Sequence, residues 1–147
     1  MGVDLSGRGG SFGCNWSYWR SCLTIAVAFG WDPAGTIAPT DWDHRTPWDG
    51  SYFINSFQEV SDEDARSLAE ALDRAAGALA NGDPLTNEQK EALYPVPDPF
   101  WETAAGVAML EKLDAARKAS GRSSKLDDPD WFIELADFAR KGSFVIW

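Results

Sequence analysis

Residue types that carry much of protein chemistry are scarce in this sequence. It has two cysteines, Cys14 and Cys22, and a single histidine, His44. No Cys-X-X-Cys or His-X-X-X-His spacing joins them, so we expect no metal site and no cofactor. Cysteines this few are typical of a protein from a reducing compartment, in which they serve as small buried hydrophobic residues.

Basic residues and long apolar runs are scarce as well. The chain has 13 Lys and Arg against 23 Asp and Glu, for a net charge of −10. This surplus of acid argues against binding to nucleic acid or to an anionic membrane, and it permits a basic protein partner. No apolar run is long enough to cross a membrane. Residues 1–10 lack the basic start and apolar core of a secretory signal, so we expect a cytoplasmic protein.

The pattern of apolar residues predicts one domain over residues 1–147. Helical spacing and capping residues predict five helices, at residues 15–29, 61–81, 86–93, 98–119 and 128–142. The rest of the chain leaves room for only a small sheet. The predicted fold class is therefore α+β, a mostly helical single domain with a small antiparallel sheet.

The sheet is predicted from a hairpin and a C-terminal strand. Residues 52–54 and 57–60 are rich in aromatic and β-branched side chains and flank two polar residues, which is typical of a short β-hairpin. Residues 143–147 form a strand that we expect beside this hairpin. The glycine-rich residues 1–14 are predicted to be a turn-laden arm or an irregular strand.

Residues 31–50 are predicted to form a long loop, and they carry the candidate binding residues. The segment has three prolines, two glycines and three tryptophans. The tryptophans either protrude as a recognition patch or hold the loop against the body, and the sequence leaves both open. We interpret the segment as a binding surface made of Trp31, Asp41, Trp42, Asp43, His44, Arg45 and Trp48.

His44 is the candidate for acid–base catalysis, because it lies between Asp43 and Arg45. Neighbours in a loop do not supply the nucleophile or the substrate proton that such a base needs. We therefore predict no catalytic set.

Three stretches carry a resemblance to known sequences. They are residues 1–7 (MGVDLSG), residues 29–36 (FGWDPAGT), and residues 52–55 (YFIN) with 60–65 (VSDEDA). Up to about residue 80 the chain resembles a group of small uncharacterised bacterial proteins. The resemblance implies a bacterial or phage cytoplasmic protein, and it brings no activity, ligand or catalytic residue with it.

These observations favour a non-enzymatic soluble protein that binds another protein through an acidic, tryptophan-bearing surface. An immunity protein or antagonist of a basic toxin would be one such case. The alternative is a small-ligand binder or hydrolase built on residues 31–50, in which Trp42 and Trp48 grip a sugar or nucleobase and His44 transfers protons. A subunit of a homo-oligomer is a third alternative.

Overall fold

The computed structural model describes residues 2–93 and 129–147, which form an α+β fold as predicted. The strands of these two segments are β1 (Gly2–Gly7), β2 (Gly10–Asn15), β3 (Gln58–Val60) and β4 (Phe144–Ile146). The helices are α1 (Trp16–Ala28), α2 (Asp62–Asn81), α3 (Asn87–Leu93) and α4 (Asp130–Ala139). The helix predicted over 98–119, and the start of the helix predicted from residue 128, lie outside the described residues.

Local capping signals start three of these helices. The Asn15 side chain accepts a hydrogen bond from a first-turn backbone N–H of α1, and Ser61 does the same for α2. At α3, Thr86 and Gln89 each accept the backbone N–H of the other, at 3.1 and 2.9 Å, which is a capping box. Gly82 ends α2 in the left-handed region. These helices could be placed from sequence because their boundaries are fixed locally.

The predicted hairpin is wrong, and the hairpin of the fold lies at the N-terminal end instead. Residues 2–7 and 10–15 form it around Arg8 and Gly9. In the predicted segment only residues 58–60 are a strand, because residue 52 turns toward the core. There the Tyr52 carbonyl accepts the Trp19 indole N–H at 2.8 Å. The strand predicted at 143–147 is confirmed as β4, beside β3.

The sheet has the order β2-β1-β4-β3 and is antiparallel throughout. Its inner side packs on the helices, and α2 lies against both α1 and α4. Trp19 of α1 meets Phe144 of β4 edge to face, with ring centroids 6.3 Å apart. The fully buried apolar strand residues on this side are Val3, Leu5, Val60, Phe144 and Ile146.

The other side of the sheet faces water, and we call it the outer face. Directly paired residues of neighbouring strands project to the same side, so the register defines two rows on it. One row is Ser11, Ser6, Val145, Glu59 and Ile37. Ile37 forms an isolated β-bridge with Glu59, on the edge of β3 that does not face β4. The other row is Gly13, Asp4 and Trp147, because the backbones of Asp4 and Trp147 exchange two hydrogen bonds of 2.9 Å.

Candidate functional site

Trp31 belongs to the core, which corrects its placement on the predicted binding surface. It is only 4% exposed and meets Tyr52 edge to face, with ring centroids 5.3 Å apart. Its indole N–H donates to Asp64 at 3.0 Å. A partner protein arriving from solvent therefore cannot use Trp31 as a surface anchor.

Asp64 anchors both ends of the connecting segment 31–57. This side chain is buried at the start of α2. One of its oxygens accepts the Trp31 indole N–H and, at 3.3 Å, the Ala34 backbone N–H. The other accepts the Tyr52 hydroxyl at 2.5 Å, and that hydroxyl accepts the Gly35 N–H at 2.8 Å.

Burial, together with the bond to Asp64, raises the pKa of Tyr52 above its ordinary value, so the phenol keeps its proton and remains a donor. The network fixes where the connecting segment leaves and rejoins the body. Its position is thus set by buried hydrogen bonds.

Trp42 and Trp48 form a pair at the surface. Their rings meet edge to face with centroids 4.7 Å apart, and both side chains are partly buried. The indole N–H of Trp42 donates to the Thr46 carbonyl at 2.9 Å, and that of Trp48 donates to the Thr36 carbonyl at 2.7 Å. Because both N–H groups serve the segment itself, the pair holds the loop in shape and offers no free donor to a sugar or nucleobase.

The charged residues between the two tryptophans are exposed to solvent. Asp43 accepts the Arg45 backbone N–H at 3.0 Å and lies 3.9 Å from its guanidinium group. His44 is exposed, and within the described residues it makes no hydrogen bond or ion pair. No neighbouring group there orients it as a general base. The geometry therefore does not favour a hydrolase centred on this histidine.

A stacked pair of aromatic rings projects from the outer face. Phe57 is 62% exposed and Trp147 is 44% exposed, and their rings are parallel within 3° with centroids 6.3 Å apart. The Trp147 indole N–H donates to the Ser6 hydroxyl at 3.0 Å, which holds its ring along the sheet. Two large aromatic side chains left in water at one place are typical of an interaction surface.

Phe57 is held in a costly backbone conformation. Its φ is +62°, and it has the one positive φ of a non-glycine residue among those described. The left-handed conformation costs such a residue about 1–2 kcal/mol of free energy relative to an ordinary backbone conformation. The fully buried Gln58 side chain fixes this turn, since it accepts the Ser56 N–H and donates to the Ile54 carbonyl. The exposed ring is thus oriented in advance by groups inside the protein.

Carboxylates surround the aromatic pair. Glu59 lies on the outer face at the edge strand β3, and Asp4 is next to Trp147 in its own row. A groove of about 510 Å³ brings Asp41 of the connecting segment to Phe57, Glu59 and Val145. None of these three acids makes an ion pair within the described part of the chain. We call Asp4, Ile37, Asp41, Phe57, Glu59, Val145 and Trp147 the acidic aromatic face.

Sequence reasoning found Asp41 on this face and missed Phe57, Glu59 and Trp147. The alternation of buried and exposed positions at Gln58, Glu59 and Val60 is not visible in the sequence, because Gln58 is polar yet buried. The meeting of Phe57 with Trp147 follows from the strand order, which no local pattern encodes.

A second concave region lies on the helical side of the molecule. This apolar groove, of about 380 Å³, runs between α1 and α3 and is bordered by the connecting segment. Trp31, Tyr52 and Phe53 contribute its aromatic walls, and two glutamates of α3 stand at its rim. Its size is within the range of small-molecule sites.

The thiols are poor candidates for nucleophiles. Burial, and then the negative charge of Asp4, raise the pKa of the Cys14 thiol to about 11. Burial also raises the pKa of Cys22. Since the thiolate is the reactive form, both cysteines are unreactive near neutral pH.

The described residues bring together no cluster of three or more His, Cys, Asp or Glu side chains able to hold a metal ion. Among these same residues, no helix has the length and apolarity that a bilayer crossing requires.

Comparison with known proteins adds no relative. No protein-family model matches the sequence, and neither the curated proteins nor the solved structures yield a match. The resemblance to small bacterial proteins accordingly stays a prediction, and the function must be inferred from the geometry.

Proposed function

We propose that this chain is a non-enzymatic binding protein that recognises a basic protein partner through the acidic aromatic face. The observation that carries the proposal is the exposed stack of Phe57 on Trp147, held out by a strained backbone. Holding Phe57 at a φ of +62° costs free energy, and the ring still remains 62% exposed to solvent. Aromatic side chains fixed in this way are the usual anchors of protein interfaces.

The charge of the face specifies the chemistry of the partner. Asp4, Asp41 and Glu59 make no ion pair with any described residue, so they can pair with lysine or arginine side chains of a partner, and exposed aromatic rings add cation–π contacts to such cations. The net charge of −10 would draw a basic protein toward this chain over longer distances. The same charge repels nucleic acid. An inhibitor or immunity protein against a basic toxin would use a surface of this kind.

The cellular setting is part of the same proposal. Cys14 and Cys22 are both free thiols, which supports a reducing cytoplasm. A bacterial origin is supported by the sequence resemblance alone.

The test is affinity capture followed by titration. Immobilised wild-type protein is exposed to extract of the source cell at low salt, beside a Phe57→Ala variant. A basic protein retained by the first and lost from the second is then purified and titrated calorimetrically. We expect Phe57→Ala to weaken its binding about 30-fold, as a central aromatic anchor would. Binding should also fall as salt is raised.

Matched variants separate the face from general effects of charge and hydrophobicity. Asp41→Asn with Glu59→Gln should weaken binding about threefold to tenfold. Asp32→Asn with Asp83→Asn makes the same change of charge at exposed positions elsewhere and should have no effect. Phe53→Ala removes a ring that is 47% exposed, against 62% for Phe57, from the groove on the helical side and is the control for Phe57.

Three results would contradict the proposal. In the first, the wild type retains no basic protein at low salt. In the second, Phe53→Ala weakens capture as much as Phe57→Ala. In the third, light scattering gives a mass that rises with concentration for the wild type and stays constant for Phe57→Ala. The face would then join copies of this chain.

A further inference from the structure

The apolar groove on the helical side has open hydrophobic walls. Val27 and Phe53 border it and are 44% and 47% exposed, although Trp31 beneath them is buried. Ala28 and Ala92 face it from α1 and α3, and their small side chains leave the space unfilled. A volume of about 380 Å³ accommodates one or two rings of an organic molecule.

Two negative charges stand together at the rim of the groove. Glu88 and Glu91 are three residues apart on α3, so they lie on the same side of that short helix. Among the described residues they are the charged side chains of the groove lining, and neither makes an ion pair with another described residue. Like charges at this spacing repel, and a cation bound between them would relieve that repulsion.

Arg20 stacks on Phe53 and is not part of the groove lining, so the charge of a bound cation would be held by the two glutamates and not by this ring. The guanidinium carbon of Arg20 lies 5.8 Å from the centre of the Phe53 ring, which is a cation–π distance. Aromatic rings combined with carboxylates are the set of groups that recognises organic ammonium ions.

The geometry points to a ligand site in this groove for an organic cation. Its apolar body would lie against Val27, Trp31 and Phe53, and its protonated amine would be held by Glu88 and Glu91. The site lies on the helical side of the sheet, and it stands independently of protein binding at the acidic aromatic face.

Three probes that share one ring system and differ in charge test this site on the full chain. They are tryptamine (cation), tryptophol (neutral) and indole-3-acetate (anion) at pH 7, followed by ligand-observed NMR and calorimetry. We expect tryptamine to bind about tenfold more tightly than tryptophol, the size expected for two partly exposed ion pairs. Indole-3-acetate should show no saturable binding.

Variants assign the binding to this groove. Glu88→Gln with Glu91→Gln should lower the affinity for tryptamine to that for tryptophol. Glu63→Gln with Glu70→Gln makes the same change of charge at exposed positions of α2 and should leave the affinity for tryptamine unaltered. Ala92→Phe fills the groove and should abolish binding of both probes, with its folded NMR spectrum as the control.

Several outcomes would overturn this inference. Equal affinity for tryptamine and tryptophol would remove the role of the two glutamates. Absence of saturable binding by any probe would mean that the groove does not take an organic cation. Loss of tryptamine binding in Phe57→Ala would place the site on the acidic aromatic face, whereas failure of the protein partner to bind that face leaves the groove unaffected.

Discussion

Replacement of Asp64 by Asn is the sharpest test of how the connecting segment is held. The amide has nearly the shape of the carboxylate, so no cavity is created. Its nitrogen, however, takes the place of the oxygen that accepts the Tyr52 hydroxyl. The bonds from the Trp31 indole and the Ala34 N–H persist, but they lose the help of the negative charge.

The expected loss of unfolding free energy follows from these three hydrogen bonds. A buried hydroxyl without its acceptor costs about 1–3 kcal/mol, and each bond that changes from charged to neutral loses about 0.5–1 kcal/mol. The sum predicts that Asp64→Asn lowers the free energy of unfolding by about 3 kcal/mol. Glu63→Gln, at the neighbouring exposed position, removes the same charge from the first turn of α2 and should cost about 0.5 kcal/mol.

The assay is urea unfolding followed by tryptophan fluorescence, extended to a double-mutant cycle with Tyr52→Phe. The double variant no longer contains the hydroxyl that lacks an acceptor. Its loss of unfolding free energy should therefore be smaller than the sum of the two single losses by about 1 kcal/mol or more. A loss for Asp64→Asn no greater than for Glu63→Gln, or full additivity in the cycle, would refute the anchoring role of this network.

Three further predictions concern the rest of the fold. The backbone N–H of Ser143 donates to Asp62 at 2.8 Å and thereby lowers the pKa of that carboxyl. This bond should stabilise the fold above the ordinary pKa of Asp and be lost as the pH falls through the lowered value. Acid unfolding curves of Asp62→Asn should be flatter in that range, and a slope equal to that of the wild type would contradict the assignment. Phe57→Asn should raise the free energy of unfolding by about 0.5 kcal/mol in thermal unfolding, because Asn tolerates the left-handed region. The same variant should lose binding to the partner, and a marked loss of stability would argue against strain at this residue. The Cβ added by Gly77→Ala on α2 would point into open space, and this variant should raise the free energy of unfolding by about 0.5–1 kcal/mol. The Cβ added by Gly7→Ala would overlap the backbone of β4, and that variant should be less stable than the wild type. Equal effects of the two alanines would rule out the close approach at Gly7.

The parts of the fold that the sequence predicts are those with local causes. Asn15, Ser61 and Thr86 cap helices through bonds to residues three positions away. These three helices were placed because each boundary depends on a few neighbours. The α+β class was predicted from the helices, the strand at residues 143–147 and the hairpin at residues 52–60, and the class is confirmed although that hairpin is wrong.

The hairpin was misplaced because strand formation here depends on distant partners. Residues 2–15 have few β-branched side chains, yet they form strands because β4 lies along Gly7, where larger side chains do not fit. Residue 52 has a strand-forming side chain, yet Tyr52 is drawn to Asp64 of α2. Propensity was overridden by tertiary contacts in both places.

The candidate site likewise has features that could be predicted from the sequence and features that could not. Exposure of Asp41, Asp43 and His44 could be expected from a polar stretch rich in turn residues. The burial of Trp31 could not, because its acceptor lies 33 positions further on. The pairing of Phe57 with Trp147 likewise requires the strand order.

The position of β4 between β1 and β3 has a consequence for biosynthesis. Its two neighbours are made early, while β4 itself comes from residues 144–146. Until the ribosome has released that stretch, the first hairpin has one unpaired edge and Phe57 has no ring to stack on. Contacts of such long sequence separation form slowly. The stack of Phe57 on Trp147 therefore forms only after residues 144–147 have joined the sheet, so the outer face is completed late in folding.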